Sequence, residues 1–284
     1  MITLQEALAS GRGLWRSFTC PNPDHHDRSP SARVNSVSGK WVCMSCGAKG
    51  HAEGYQPDPV LMIEDTLRAL DHIDGPRVYP ESWLDQYDAQ GPGDYWLSRF
   101  SPQACREHRL GWDAMEMQAV YPFRDEDGTV LGVVRRGRPG EKPKYRYPFG
   151  VDASKHLFGY HRAVGADVVV VCEGAPDAVA ATEIETALRI HTGLVWRAVG
   201  TYGKVLHPAQ VTLLHRLAPR VVVMAYNGDE AGVRGQQRAW YDLGKAGLMP
   251  ADAVLPPGKD LGELSQEQRF DTLLLSLEVW PRVS

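Results

Sequence analysis

The chain contains no apolar run near the ~18 residues that a membrane-spanning helix requires. Its opening residues, MITLQEALASGRGLW, lack the basic start and apolar core of a secretory signal, so a cytoplasmic location is expected. Cysteine is scarce. There are five, an odd number, which in a reducing compartment argues against a disulfide framework. There is no internal repeat and no low-complexity tract. The G-x-x-x-x-G-K-[ST] loop is missing, which excludes a P-loop motor. Charge excess is small as well. The net charge is −4, so the bulk basicity of many nucleic-acid binders is absent, although acids devoted to a metal would offset basic tracks elsewhere. With 43% hydrophobic and 23% charged residues, the 284-residue chain reads as an ordinary globular protein of one or two domains plus a small appendage.

The most ordered pattern runs from Asp167 to Gly232. VVVVCEGAPDAVAA (Val168 to Ala181) opens it and VVVMAYNGDEAG (Val221 to Gly232) closes it. A run of β-branched residues that ends at small residues predicts a strand buried on both faces. Ala175 to Ala181 then predicts a helix, with Pro176 tolerated in its first turn. Val195 to Gly200 and Ala253 to Leu255 are expected as further strands. Pro208 to Leu217, Ala231 to Leu243 and Gln266 to Val279 are expected as helices. Alternation of this kind predicts a parallel sheet and an α/β fold. Glu173, Asp229 with Glu230, and Asp260 then fall near strand ends, the edge where open α/β sheets bind ligands. Acids gathered there repel unless a cation joins them, and hard oxygen ligands suit Mg2+ or Mn2+. Asp177 and Glu230 are ranked second, each equally suited to capping a helix.

Near the N-terminus, Cys20, His25 or His26, Cys43 and Cys46 supply four soft or borderline ligands on two turns, the pattern of a closed tetrahedral Zn2+ site. Gly47 relieves the second turn. Ala32 to Val37 and Lys40 to Val42 are expected to pair around Ser38-Gly39. A segment of this size has too little core to fold without such a staple. Residues 56–93 read as a linker: Gln56-Pro57-Asp58-Pro59 breaks structure, Val60 to Ile73 has helical spacing, and Ala89 to Gly93 forms a second joint. Residues 94–165 read as a basic front half. Strands are expected over Val120 to Arg124 and Val130 to Arg136, followed by a cationic stretch through Arg138, Lys142, Lys144, Tyr145 and Arg146 that suits triphosphates or a nucleic-acid backbone.

These motifs carry a resemblance. EGAPDA and NGDEAG resemble the two signatures of the TOPRIM fold, which topoisomerases, some nucleases and bacterial-type primases share. Cys20-Pro21, the His25 position, Ser29-Pro30-Ser31 and Cys43-x-x-Cys46-Gly47-x-x-Gly50 resemble the zinc ribbon of bacterial and phage primases. Counting back from Pro30 puts His25 on the ligand position. The middle of the chain is similar to the catalytic core of those enzymes: Ser98-Arg99-Phe100-Ser101-Pro102-Gln103, Arg109-Leu110-Gly111, Tyr121 to Gly128, Pro143-Lys144-Tyr145 and Leu157 to Tyr160.

The resemblance implies four parts: a zinc ribbon (1–55), a linker (56–93), a basic subdomain (94–165) and a TOPRIM subdomain (166–284). It implies a primase that makes short RNA primers on single-stranded DNA, with nucleoside triphosphates and a replicative helicase as partners and no membrane. One structural Zn2+ would sit on Cys20, His25, Cys43 and Cys46, and a catalytic Mg2+ or Mn2+ on Glu173, Asn227, Asp229 and Asp260. Arg136 and Lys144 would serve catalysis. Arg124, Arg135, Lys142, Tyr145 and Lys259 would contact nucleotide or template, as would Arg28, Arg33, Lys40 and Trp41 of the ribbon. Lys49 is a further ribbon candidate, and for Trp41 packing within the ribbon is an equal alternative. Asn227 departs from the Asp-x-Asp pattern. It is either a natural variant that leans on the three acids or an engineered Asp-to-Asn change. The competing readings are a TOPRIM nuclease or topoisomerase-like enzyme, and a non-catalytic single-stranded DNA-binding protein.

Overall fold

The two valine runs form the centre of a four-stranded parallel sheet. In the computed structural model β9 (Val168–Cys172) and β11 (Val221–Ala225) are buried along their whole length. β9 lies between β10 (Trp196–Gly200) and β11, and β12 (Pro250–Asp252) forms the edge beyond β11. All three pairings are parallel. The valine runs do not alternate with polar residues because both faces of the sheet are covered. Val168, Val170 and Cys172 enter one core, with α5 (Ala175–Thr182), α6 (Glu185–Thr192) and α9 (Gln266–Glu278). Val169 and Val171 enter the other, with α7 (Pro208–Leu217) and α8 (Glu230–Lys245). The third strand lies earlier than the sequence suggests. Residues 250–252 make the ladder rather than 253–255, and Val254 points to solvent at 82% exposure. Pro250 is tolerated there because an edge strand leaves one side of its backbone unpaired.

The structure describes residues 2–9, 15–27, 30–55, 76–89, 91–138 and 140–278. They divide into two compact units, 1–75 and 76–284. Among the described residues no helix is long and apolar enough to cross a membrane.

The first unit is built on four antiparallel strands in sequential order: β1 (Trp15–Phe18), β2 (Ala32–Asn35), β3 (Lys40–Cys43) and β4 (Lys49–His51). A short helix, α1 (Leu4–Ala9), packs on them. The β2–β3 turn is held by Asn35, whose carboxamide oxygen accepts the N–H groups of Val37 and Ser38. Its core is small (Ala7, Phe18, Ala32, Val34 and two cysteines), as expected for a unit stapled by a metal.

In the second unit a four-stranded antiparallel sheet precedes the parallel one: β5 (Gly111–Asp113), β6 (Gln118–Arg124), β7 (Val130–Arg136) and β8 (Tyr145–Arg146). Tyr121, Phe123 and Val134 share the core of the parallel sheet. Val120, Val130 and Val133 face the other way, against Leu84 and Tyr87. Residues 79–88, expected as part of the linker, are therefore packed, with Tyr79 bridging to Val130. The helix expected at Val60 to Ile73 lies outside the described residues.

One buried ion pair ties this frame together. Arg269 of α9, 4% exposed, bonds Glu183 at 2.8 Å and donates to the carbonyls of Leu261 and Gly262. Glu183 also accepts the backbone N–H of Ser101. Removing one partner leaves a buried charge unpaired, which costs more than the pair itself stabilises. Arg269→Met is expected to destabilise the 76–284 unit by ~3–5 kcal/mol in urea denaturation. A loss below ~1 kcal/mol would show the pair to be incidental.

Candidate metal and nucleotide site

The carboxyl ends of β9 and β11 meet because glycine stands where their loops touch. At Gly228 a Cβ would lie 2.2 Å from the Pro256 carbonyl oxygen. At Gly232 it would lie 2.2 Å from the Asn227 carbonyl oxygen and 2.8 Å from Glu173 Oε1. Through the first contact, the segment after β12 pairs with the segment after β11. Gly228 N–H donates to the Lys259 carbonyl at 2.9 Å, and Gly258 N–H donates to the Gly228 carbonyl at 3.0 Å. That return brings Asp260, eight positions beyond the end of β12, back to the sheet edge.

Glu173 is buried immediately after β9, and its Oε1 accepts the Asn227 N–H at 3.1 Å. Burial raises its pKa, and the charges of Asp229 and Asp260 add to the effect. Asp229 caps α8, accepting the Gly232 N–H at 2.7 Å, and its second oxygen receives the Lys204 ammonium at 2.5 Å. That ion pair and the backbone donors hold its pKa below the ordinary range. Asp260 caps the turn Leu261–Glu263. Asp177 caps no helix. It lies in the first turn of α5, 8% exposed, with Gly262 N–H at 3.4 Å as its weak donor. Burial and the neighbouring Asp260 and Glu173 charges push it up to about 7. Glu230 is exposed and pairs with Arg234 one turn on.

These groups border a cleft of about 260 Å³. Glu173, Asp177, Asn227 and Asp260 line it, while Asp229 sits at its rim, bonded to the lining residue Lys204. Arg136, Lys144, Tyr95 and Tyr145 line the same cleft. The Arg136 guanidinium is held between Tyr145 and Tyr95, 5.0 and 5.8 Å from the ring centres. Three buried polar atoms around the cleft lack a hydrogen-bond partner: Asn227 Oδ1, Arg136 Nη1 and the Tyr202 hydroxyl. Buried polar atoms are normally satisfied, so an unpartnered carboxamide oxygen among carboxylates and an unpartnered guanidinium N–H in the same cleft are the features a cation and an anionic ligand would complete. The donor set is all oxygen, the chemistry of Mg2+ or Mn2+, but the carboxylates are not drawn in as tightly as a closed cage: among the described residues only Cys20, His25, Cys43 and Cys46 bring three or more such ligand atoms within 4.8 Å of one another.

Other expected residues lie elsewhere. Arg135 and Arg136 point to opposite faces because side chains alternate along a strand. Arg135 therefore pairs with Asp113 at 2.9 Å, away from the cleft. Arg124 makes a two-pronged bond to Glu81, at 2.6 and 2.7 Å, and also lies outside it. The exposed side chains of Lys142 and Lys259 are not in the cleft lining. Lys204 escaped the sequence reading because nothing in Gly-Thr-Tyr-Gly-Lys marks it. Asp177 carried a usable signal, since it follows Glu173 by four positions across a strand-to-helix junction.

In the first unit the ligand atoms of Cys20, His25, Cys43 and Cys46 lie within 4.8 Å of one another. Cys20 and Cys46 sulfurs are 3.7 Å apart, and Cys43 Sγ is 3.5 Å from His25 Nδ1. Tetrahedral bonds of ~2.3 Å to sulfur and ~2.05 Å to nitrogen require separations of about 3.8 and 3.6 Å, within about 0.1 Å of those observed, so these two pairs fit a Zn2+-sized ion. His26 is exposed and outside the set. Gly47 adopts φ 74°, as the knuckle demands. Asp27 braces the cage by accepting the N–H groups of Cys20 and Ser31. Trp41 packs edge-on against Phe18 and lies flat across Gly50, a packing role within the sheet. Arg33, Lys40 and Lys49 are exposed, and Arg28 lies outside the described residues.

The buried Asp177 makes a prediction about pH. Its proton is kept to about 7 in the folded, metal-free chain but lost near 4 on unfolding. The cost of the buried charge therefore begins as pH rises above about 4 and is complete above about 7. With metal chelated, Asp177→Asn is expected to stabilise the fold near pH 8, by at most ~4 kcal/mol, and progressively less as pH falls towards 4. Thermal melts of both forms across that range check the sign. A pH-independent difference would mean the carboxyl is not titrating there.

Comparison with known proteins agrees with this geometry. A Toprim-like family model matches residues 170–265. The DNA primase of Clostridium acetobutylicum is 25% identical over 179 residues, covering 61% of this chain and 28% of that protein. The DNA primase of Deinococcus radiodurans is 24% identical over 303 aligned positions, covering 84% and 51%. The chain thus spans about a quarter to a half of the length of these curated relatives. Among solved structures, the zinc-binding and RNA polymerase domains of the Aquifex aeolicus primase superpose with a TM-score of 0.56 at 20% identity, covering 95% of this chain and 79% of that one. The primase fragment of the bacteriophage T7 primase-helicase protein gives 0.52 at 17% identity, covering 92% and 99%. A DnaG primase catalytic domain bound to single-stranded DNA gives 0.51 at 19%, covering 76% and 77%. The chain therefore has the fold of the bacterial and phage-type primases, a Cys/His metal-cage unit followed by a core with a Toprim-like sheet.

Proposed function

We propose that the chain is a DNA primase of the phage type that joins ribonucleotides into short primers on single-stranded DNA. The observation that carries this reading is a single cleft lined by both kinds of group: Glu173, Asp177, Asn227 and Asp260 from separate strand ends, and Arg136, Lys144 and tyrosine rings from the antiparallel sheet and its neighbours. Glu173, Asp229 and Asp260, with the Asn227 amide oxygen, would hold Mg2+ or Mn2+. When bound, such an ion lowers the pKa of an attacking hydroxyl and offsets charge on the entering and leaving oxygens. Arg136 and Lys144, in the same cleft, would neutralise the triphosphate. Tyr95 and Tyr145, already stacked on the Arg136 cation, offer flat faces on which bases can stack.

Initiation has no paired primer end to organise it, so holding template and both nucleotides is the main task of the protein. The first unit suits a share in that task. Its cage would take Zn2+, and the exposed cations Arg33, Lys40 and Lys49 would grip template phosphates. Against a topoisomerase-like enzyme stands the state of the cleft tyrosines. Burial raises the hydroxyl pKa of Tyr121, Tyr145, Tyr147 and Tyr202, the opposite of what a nucleophile needs.

Asn227 contributes an oxygen but no charge, so cation affinity is set below that of a site with an aspartate there. The test is incubation with single-stranded DNA, labelled ribonucleotides and Mg2+ or Mn2+. Short RNA is the expected product, and Asn227→Asp should raise its yield at limiting metal by on the order of tenfold. DNA cleavage, or no product with either form, would overturn the proposal.

A further inference from the structure

Lys204 stands where a cation is wanted. Its ammonium lies 2.5 Å from Asp229 Oδ2, while the other oxygen of Asp229 is committed to Gly232 N–H. The lysine also lines the cleft beside Glu173 and Asn227.

The placement of its backbone is built in. Thr201 anchors the start of the loop, its hydroxyl bonding the Cys172 and Gly203 carbonyls and the Tyr226 hydroxyl. Buried Gln210 of α7 donates to the Thr201 carbonyl at 2.9 Å. Tyr202, at φ 61°, is stacked on Phe123, and its carbonyl accepts from the Tyr147 hydroxyl. Finally the Lys204 carbonyl rests on α8 where Gly235 lacks a side chain. A Cβ there would come within 2.5 Å of it. The loop is thus fixed against the helix that Asp229 caps, and only the lysine side chain, 42% exposed, is free to swing.

We propose that Lys204 is a built-in counter-ion that competes with the divalent cation for Asp229, so that the metal-free site is neutralised from within. Next to an Asp-x-Asp arrangement, this edge has one negative charge fewer at Asn227, and within this chain Lys204 sets a positive charge against Asp229. Both features act against a bare metal ion. A triphosphate entering the cleft that Lys204 and Arg136 both line would supply the missing negative charge and a new partner for the ammonium. The inference rests on the metal site of the proposed polymerase reading and concerns a residue that reading does not use.

The test is Mn2+ titration of the full chain without nucleotide, followed by electron paramagnetic resonance. Lys204→Met should tighten Mn2+ binding roughly two- to fivefold, the range set by a half-exposed ion pair, while Lys204→Arg should stay near the starting value. In an Asp229→Asn background the methionine effect should vanish, because the interaction partner is gone. Equal or weaker Mn2+ binding by Lys204→Met, with its melting temperature unchanged, overturns the proposal. So does an effect of the same size in both backgrounds, which would make Lys204 a general electrostatic influence. Mn2+ binding that responds to Lys204 in a chain making no primers keeps this inference and retires the polymerase reading. Primer synthesis with Mn2+ affinity indifferent to Lys204 does the reverse.

Discussion

Like charges gathered along one sheet edge, near enough to perturb one another, are the constraint on which this structure depends. Glu173 ends one strand, Asp229 follows the next, and Asp260 returns from beyond a third. Backbone packing holds them there, with contacts at Gly228 and Gly232 too close for any side chain. The chain therefore cannot relieve the repulsion by spreading the strand ends. It relieves it chemically instead. Asp177 keeps its proton to about 7, Glu173 is pushed the same way by burial, Asp229 takes an ammonium, and position 227 carries an amide. A divalent cation would replace these separate remedies with one.

The remainder of the second unit serves that edge from outside. The antiparallel sheet shares a core with the parallel one, which turns Arg136 into the cleft that the acids line and Arg135 outward to Asp113. Arg269, buried between α9 and the Leu261–Glu263 turn, braces the segment that carries Asp260. The ribbon unit depends on a different force. Its apolar core is small, and a metal held by four ligand atoms that lie within 4.8 Å of one another would take the place of the missing burial.

Much of this was legible in the residues because local chemistry decided it. Unbroken valine runs can only be strands covered on both sides, and Cys-x-x-Cys with an upstream Cys and His can hardly be anything but a cage. The residues alone left His25 and His26 open, and the resemblance to the primase zinc ribbon implied His25. What was not legible depended on tertiary contact. Position 253–255 looked more strand-like than 250–252, but pairing with β11 selected the earlier residues. Residues 79–88 carry no strong period, yet Tyr79, Leu84 and Tyr87 are recruited by the exposed back of the β6–β7 sheet. Arg124 and Arg135, expected as nucleotide or template contacts, are paired with carboxylates distant in sequence and lie outside the cleft lining. Lys204 has no motif at all, and only the fold sets it against Asp229.

The central claim is that these strand ends form one divalent-cation site. A crystal grown with Mn2+ and measured at the manganese absorption edge tests it most directly. The account predicts a strong anomalous peak bounded by Glu173, Asp260 and Asp229, with the Lys204 ammonium displaced from its carboxylate. A map with no peak at that edge, or with manganese bound only elsewhere, would contradict it.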